Sequence, residues 1–197
     1  MSDLNLQLVR EFFELNQFYV LPHWRYGDLS KMQDGASLLF VERPRANTVS
    51  DPEFLLRPPD LDGIRRAVVE VRAWHGDRLY PFTVESNPVF GRVATPEIRE
   101  LAETIFETDE FTTILVVSEL AVSHGPRARA LQMLRDMRVG HVMEFPAILG
   151  DLLARVDVYG NYAPSQTLQT MRLLKRYGFV RRQQMELPFA MEDGGED

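Results

Sequence analysis

The sequence predicts an α/β fold on three observations. Residues 67–74 (AVVEVRAW) alternate: in a strand, Glu70, Arg72 and Trp74 share one face, and Val69, Val71 and Ala73 the other. Residues 112–118 (TTILVVS) form a near-continuous apolar run, the pattern of a strand buried on both faces. Around these strands lie segments whose apolar residues recur at helical spacing.

Taken in order, residues 4–16 read as an amphipathic helix, with Leu4, Leu8, Phe12 and Leu15 on one face and Asp3 as N-cap. Glu11 and Glu14, three apart, point to a similar side. Residues 18–26 read as the first strand and 36–42 (ASLLFVE) as the second, ended by Pro44. Residues 43–65, with four prolines, read as an irregular link holding one helical turn at 60–66. The third strand follows at 67–74, and a second irregular stretch runs to Thr95. There Thr95-Pro96-Glu97 supplies an N-cap, a proline at the first helical position and an acid in the first turn, opening a helix to about Phe106. A helix at 127–137, set between strands 112–118 and 140–145, predicts a parallel crossover. Residues 146–156 and 165–177 are two added C-terminal helices, the second opened by Pro164-Ser165 and closed by Gly178. Residues 1–182 are expected to form one domain and 183–197 a flexible acidic tail.

Composition narrows the chemistry. A chain of 197 residues with 45% apolar content has room for a full hydrophobic core. No apolar run is long enough to span a bilayer and the N-terminus has no signal-peptide pattern, so the expectation is a cytoplasmic protein with no membrane partner. With no cysteine there is no disulfide and no thiolate metal site. His23, His75, His124 and His141 are scattered without ligand spacing, which argues against zinc. The net charge of −7 is concentrated at the end, where Glu186, Glu192, Asp193, Glu196 and Asp197 face no basic residue. The near-neutral body is compatible with a local basic groove. Phosphate-loop, dinucleotide-binding and nucleophile-elbow motifs do not occur, so nucleotide hydrolysis, dinucleotide binding and α/β-hydrolase chemistry have no support.

The order helix, three-stranded meander, then helix-strand-helix-strand over residues 4–145 resembles the core of the PD-(D/E)XK, or restriction-endonuclease-like, nucleases. In that family a helix acid, an Asp opening the second strand and a Glu-x-Lys on the third bind Mg²⁺ or Mn²⁺ and activate water for phosphodiester hydrolysis. The resemblance implies that Glu11 (or Glu14) matches the helix acid and Glu70 the acid of the strand pair, with Arg72 in place of the Lys. Arginine stabilises phosphate charge but stays protonated and does not serve as a base. Ser37 stands where the resemblance asks for Asp, and a neutral hydroxyl is a poor Mg²⁺ ligand. Asp34 and the displaced Pro59-Asp60 are the two alternative sources of that carboxylate. On this reading Glu70 and Arg72 are catalytic and Glu11, Glu70 and Asp60 hold metal. Arg65 and Arg66 neutralise DNA phosphates, Trp74 stacks on a base, and His75 is a candidate proton shuttle. The plainer alternative is a same-face ion pair on a partly solvated strand, with Trp74 and His75 structural.

The tail carries a second resemblance. Gln184, Leu187 and Phe189 in QQMELPF match Gln-x-x-Leu-x-Phe, the short peptide by which bacterial proteins dock on the replication sliding clamp. In that mode Leu and Phe fill apolar pockets while Gln hydrogen-bonds at one end; the alternative is that Leu187 and Phe189 fold back onto the body. Two functions follow as expectations. One is a nuclease-like DNA repair or replication protein, active or degenerate, recruited to the clamp. The other is a non-catalytic DNA- or protein-binding module on the same scaffold, with a homodimer left open.

Overall fold

The computed structural model describes residues 3–22, 37–44 and 52–180. The chain divides into two units, Met1–Arg155 and Val156–Asp197. The first unit is mixed α/β and is built on a six-stranded mixed sheet.

Helix α1 (Asp3–Leu15) buries Leu8, Val9, Phe12 and Phe13. Its inner face is therefore centred one residue beyond the expected stripe, and Leu4 is exposed. Strand β1 (Tyr19–Leu21) pairs antiparallel with β2 (Leu38–Glu42), and β2 pairs antiparallel with β4 (Arg66–Arg72). From β4 the sheet continues in parallel through β5 (Thr112–Val117) and β6 (His141–Glu144) to the edge strand β3 (Leu55–Leu56). The sheet order is β1-β2-β4-β5-β6-β3.

The described part of the link between β2 and β4, residues 52–65, is more ordered than its prolines suggest. It crosses to the far edge to supply β3, then forms a 3-10 helix at Pro58–Gly63 in place of the expected turn at 60–66. A two-residue strand has no periodicity to read, which is why the sequence hides it. The stretch before Thr95 likewise holds α2 (Pro81–Ser86) and a second 3-10 helix at Pro88–Ala94. Both start at prolines, whose fixed φ suits a first helical position.

Helices α3 (Pro96–Phe106) and α4 (His124–Asp136) are the crossovers that keep β4, β5 and β6 parallel. With α2 and the second 3-10 helix they cover one sheet face, where Phe90, Ile98, Ala102 and Leu134 meet Leu38, Phe40, Val68, Leu115 and Val117. On the opposite face α1 packs against β4 and against α5 (Phe145–Arg155), whose Ile148 and Leu152 are buried. The sheet is thus covered on both sides. Gly140 makes the turn into β6 feasible, since a Cβ there would lie 2.7 Å from Thr112 Oγ1 and 2.9 Å from the Thr113 carbonyl. In the second unit, α6 (Gln166–Arg176) is capped by Ser165, whose Oγ accepts from the Leu168 N–H at 3.0 Å. Among the described residues no helix is long and apolar enough to cross a membrane.

Candidate functional site

Strand β4 lies between β2 and β5, and Glu70 sits at its middle, opposite Leu38 on one side and Leu115 on the other. The strand faces predicted from alternation hold, but neither is solvated. Glu70 is 0% exposed and Arg72 is buried beside it. Arg72 reaches back two residues, donating from Nε to Glu70 Oε1 at 2.9 Å, with Nη2 at 2.7 Å from the same oxygen.

A third described residue joins the cluster. Arg92, carried by the 3-10 helix Pro88–Ala94, places Nε 3.0 Å from Glu70 Oε1, and its Nη2 donates to Ser37 Oγ at 3.3 Å. The geometry is an Arg–Glu–Arg triad in the core, with Ser37 at its rim. Two residues before Arg92, Phe90 meets Trp74 edge-on at 5.3 Å between centroids. Trp74 is therefore on the Glu70 face, as alternation predicts, and 41% of it remains exposed.

Burial is the dominant electrostatic influence on Glu70 and raises its pKa; Arg92 and then Arg72 pull it down without cancelling that effect. Consistent with this, Glu70 Oε2 is buried with no hydrogen-bond partner among the described residues.

Of the other expected site residues, those that are described lie elsewhere. Glu11 is buried, but it lies on α1, on the opposite face of the sheet, and its Oε1 accepts from Gln7 Nε2 at 2.7 Å. Glu14 pairs with Arg10 at 2.9 Å. Asp60 caps its own 3-10 helix by accepting from the Arg57 N–H at 2.6 Å. Arg66 is held across the sheet by Glu42 at 2.8 Å, in the register that puts the two opposite each other, while Arg65 is exposed. On α4, Arg127 pairs with Glu144 at 2.6 Å. Asp34, Gln184, Leu187 and Phe189 lie outside the described residues. Among the described residues, no group of three or more His, Cys, Asp or Glu is placed to hold a metal ion.

Family models, curated proteins and solved structures give no match to this chain. Beyond the carboxyl ends of β4 and β5, where open α/β sheets commonly bind ligands, a cleft of about 460 Å³ is lined by His75, Asp77, Arg78, Ser118, Glu119 and Phe145, among others. Its polar groups are engaged with one another or with the frame. His75 Nε2 lies 3.1 Å from Asn5 Oδ1 and its ring meets Phe145 edge-on at 4.7 Å. Arg78 pairs with Glu119 at 3.0 Å. Asn5 in turn donates to the Ala73 carbonyl at 2.8 Å, so His75 helps dock α1 on the end of β4.

Sequence reasoning found Glu70, Arg72, Trp74 and His75 and missed Arg92. In the sequence Arg92 is one basic residue in an irregular stretch, and only the tertiary path of that stretch carries it to β4.

Proposed function

We propose that this chain is a nuclease-like DNA-processing module whose strand pair has become structural, so that it binds DNA without cutting it. The element order supports the nuclease-like part of the reading: a helix, an antiparallel set β1-β2-β4, then parallel crossovers, as in the PD-(D/E)XK core. One observation carries the non-catalytic part. Both guanidinium groups, from Arg72 and Arg92, lie within 3.0 Å of Glu70 Oε1. They supply the positive charge that a divalent cation supplies in that family.

The residues do not fit Mg²⁺ or Mn²⁺. Such ions need several oxygen ligands and an approach from water, whereas Glu70 is sealed and two fixed cations repel a third. Ser37 adds a hydroxyl where the family has a carboxylate, and that hydroxyl accepts from Arg92. The DNA-directed part rests on the resemblance, on the exposed Arg65 at the start of β4, and on the exposed part of Trp74 at its end. Recruitment to the sliding clamp through Gln184, Leu187 and Phe189 belongs to the same proposal.

The test incubates the full chain with single-stranded, double-stranded and branched DNA in Mg²⁺ or Mn²⁺, alongside a folded Glu70→Gln variant. No cleavage by either protein, with DNA retention at low salt that weakens as salt rises, is expected. Metal-dependent cleavage lost in Glu70→Gln overturns the non-catalytic reading. Failure to retain any DNA at low salt overturns the DNA-directed one.

A further inference from the structure

Residues 156–180 combine two features that the fold itself does not require. Their one acid, Asp157, faces three bases, Arg172, Lys175 and Arg176, and Arg181 and Arg182 follow directly in the sequence. The three bases stand at i, i+3 and i+4 on α6, which places them on one side of the helix. The same short stretch leaves three aromatic rings in solvent: Tyr159 is 87% exposed, Tyr177 70% and Phe179 79%.

These rings stand on ordered backbone. Tyr159 is at the tip of a turn in which Asp157 Oδ1 accepts from the Tyr159 N–H at 3.1 Å and the Asp157 carbonyl accepts from the Gly160 N–H at 3.2 Å. Tyr162 closes that turn, its hydroxyl accepting from the Asp157 N–H at 2.9 Å; a Cβ on Gly160 would lie 2.7 Å from the Tyr162 ring. Arg172 donates to the Val158 carbonyl at 3.3 Å and Lys175 to the Val156 carbonyl, so the turn lies against the cationic side of α6.

The C-terminus of α6 is equally defined. Gly178 has φ +76°, its N–H bonds the Lys175 carbonyl at 3.1 Å, and the Phe179 N–H bonds the Leu174 carbonyl at 2.9 Å. This is a Schellman ending, which ordinarily folds the residue after the glycine onto the helix. Here the Phe179 ring stays in water.

We propose that residues 156–180 are a docking surface for single-stranded nucleic acid, with Arg172, Lys175 and Arg176 tracking the phosphates and Tyr159, Tyr177 and Phe179 stacking on unpaired bases. The inference rests on the DNA-directed reading above and gives it an address. Rings presented on hydrogen-bonded turns lose little freedom on binding, and aromatic platforms beside cations are the usual means of holding single strands without sequence preference. A membrane surface fits less well. It wants an aliphatic stripe, but Leu168 is 7% exposed and Leu173 and Leu174 each 38%, well below the rings.

The test is fluorescence anisotropy of the full chain with a labelled oligodeoxythymidine of roughly 20 nucleotides, enough to cover one site of this kind. Tyr159→Ala, Tyr177→Ala and Phe179→Ala, each checked for folding by circular dichroism, are expected to weaken binding about fivefold or more apiece. Phe82→Ala, which removes an equally exposed ring on α2, should leave binding unchanged. Arg176→Glu should weaken binding and flatten its salt dependence by about 0.7 in the log-log slope for the lost charge. Wild-type binding that survives all three ring substitutions overturns this inference alone. So does a duplex bound more tightly than the single strand, or uptake by phosphatidylserine vesicles with no oligonucleotide binding. A wild-type chain that binds neither single nor double strands overturns the DNA-directed reading as well.

Discussion

Replacing Glu70 tests the central cluster most directly. Glu70→Ala leaves Arg72 and Arg92 facing each other in the core, with side chains only 5% and 17% exposed. Removing one partner from a buried ionic cluster costs about 3–5 kcal/mol. For a protein of this size that is a fall in Tm of roughly 6–20 °C, and a large share of the usual total of about 5–15 kcal/mol. Removing all three charges should behave differently. Glu70→Leu with Arg72→Met and Arg92→Met exchanges a desolvated triad for apolar packing, a change that is commonly neutral or stabilising by about 1–4 kcal/mol. The raised pKa of Glu70 points the same way, since it shows burial outweighing both arginines. Urea denaturation followed by circular dichroism, and by fluorescence of the two tryptophans, measures both variants, and coincident curves justify a two-state reading. A Glu70→Ala protein within about 0.5 kcal/mol of wild type refutes the triad as a structural unit. A triple variant as unstable as Glu70→Ala refutes the charge argument.

Three further outcomes are expected. Because burial raises the Glu70 pKa above 4.5, the folded state holds that proton more tightly than the unfolded one, so the stability it contributes is full below about pH 4.5 and is lost as pH rises through the folded value. The stability of wild type relative to Glu70→Gln should therefore shrink from about pH 4 to 7 in urea titrations, and a widening gap contradicts the sign. Arg43→Lys should cost about 2 kcal/mol in the same assay. The guanidinium bonds the Asn16 carbonyl and Asp62 Oδ1 at 2.7 Å each and the Leu61 carbonyl at 3.3 Å, and sits 4.9 Å from the Phe18 ring centroid; an ammonium cannot span that set, and a loss under about 0.5 kcal/mol discredits the clamp. Leu187→Ala with Phe189→Ala should reduce capture of the full chain by purified bacterial sliding clamp at least about tenfold, and unchanged capture removes the tail motif.

The sequence was most legible where one physical pattern dominated. Alternation located β4, and continuous apolar character located β5, because burial on one or both strand faces leaves a direct imprint. Thr95-Pro96-Glu97 placed the start of α3, since capping chemistry is local. Helix α4 begins a turn before the expected 127, and that turn was not legible because His124-Gly125-Pro126 contains no strong helix former. Strand β3, α2 and the second 3-10 helix are too short to show a periodicity and were not legible, whereas the turn expected at 60–66 overlaps the first 3-10 helix. The site divides along the same line. Glu70 and Arg72 were visible as a same-face pair, whereas Arg92 depends on where a proline-led 3-10 helix lands.

That division explains how the pair is used. A Glu-x-Arg strand with one face open to water needs no further partner, because water solvates both charges. Here α2, α3, α4 and the second 3-10 helix close that face over Val68, Leu115 and Val117, and the carboxylate has to be neutralised from within. Arg72 supplies one charge along the strand and Arg92 a second from the covering layer, with Ser37 Oγ accepting at the rim. The triad joins β4, the covering layer and the entrance to β2. An Asp in place of Ser37 would set a second carboxylate beside Arg92. With Ser37, the described part of the cluster sets one carboxylate between two guanidinium groups, an arrangement that opposes the approach of a further cation.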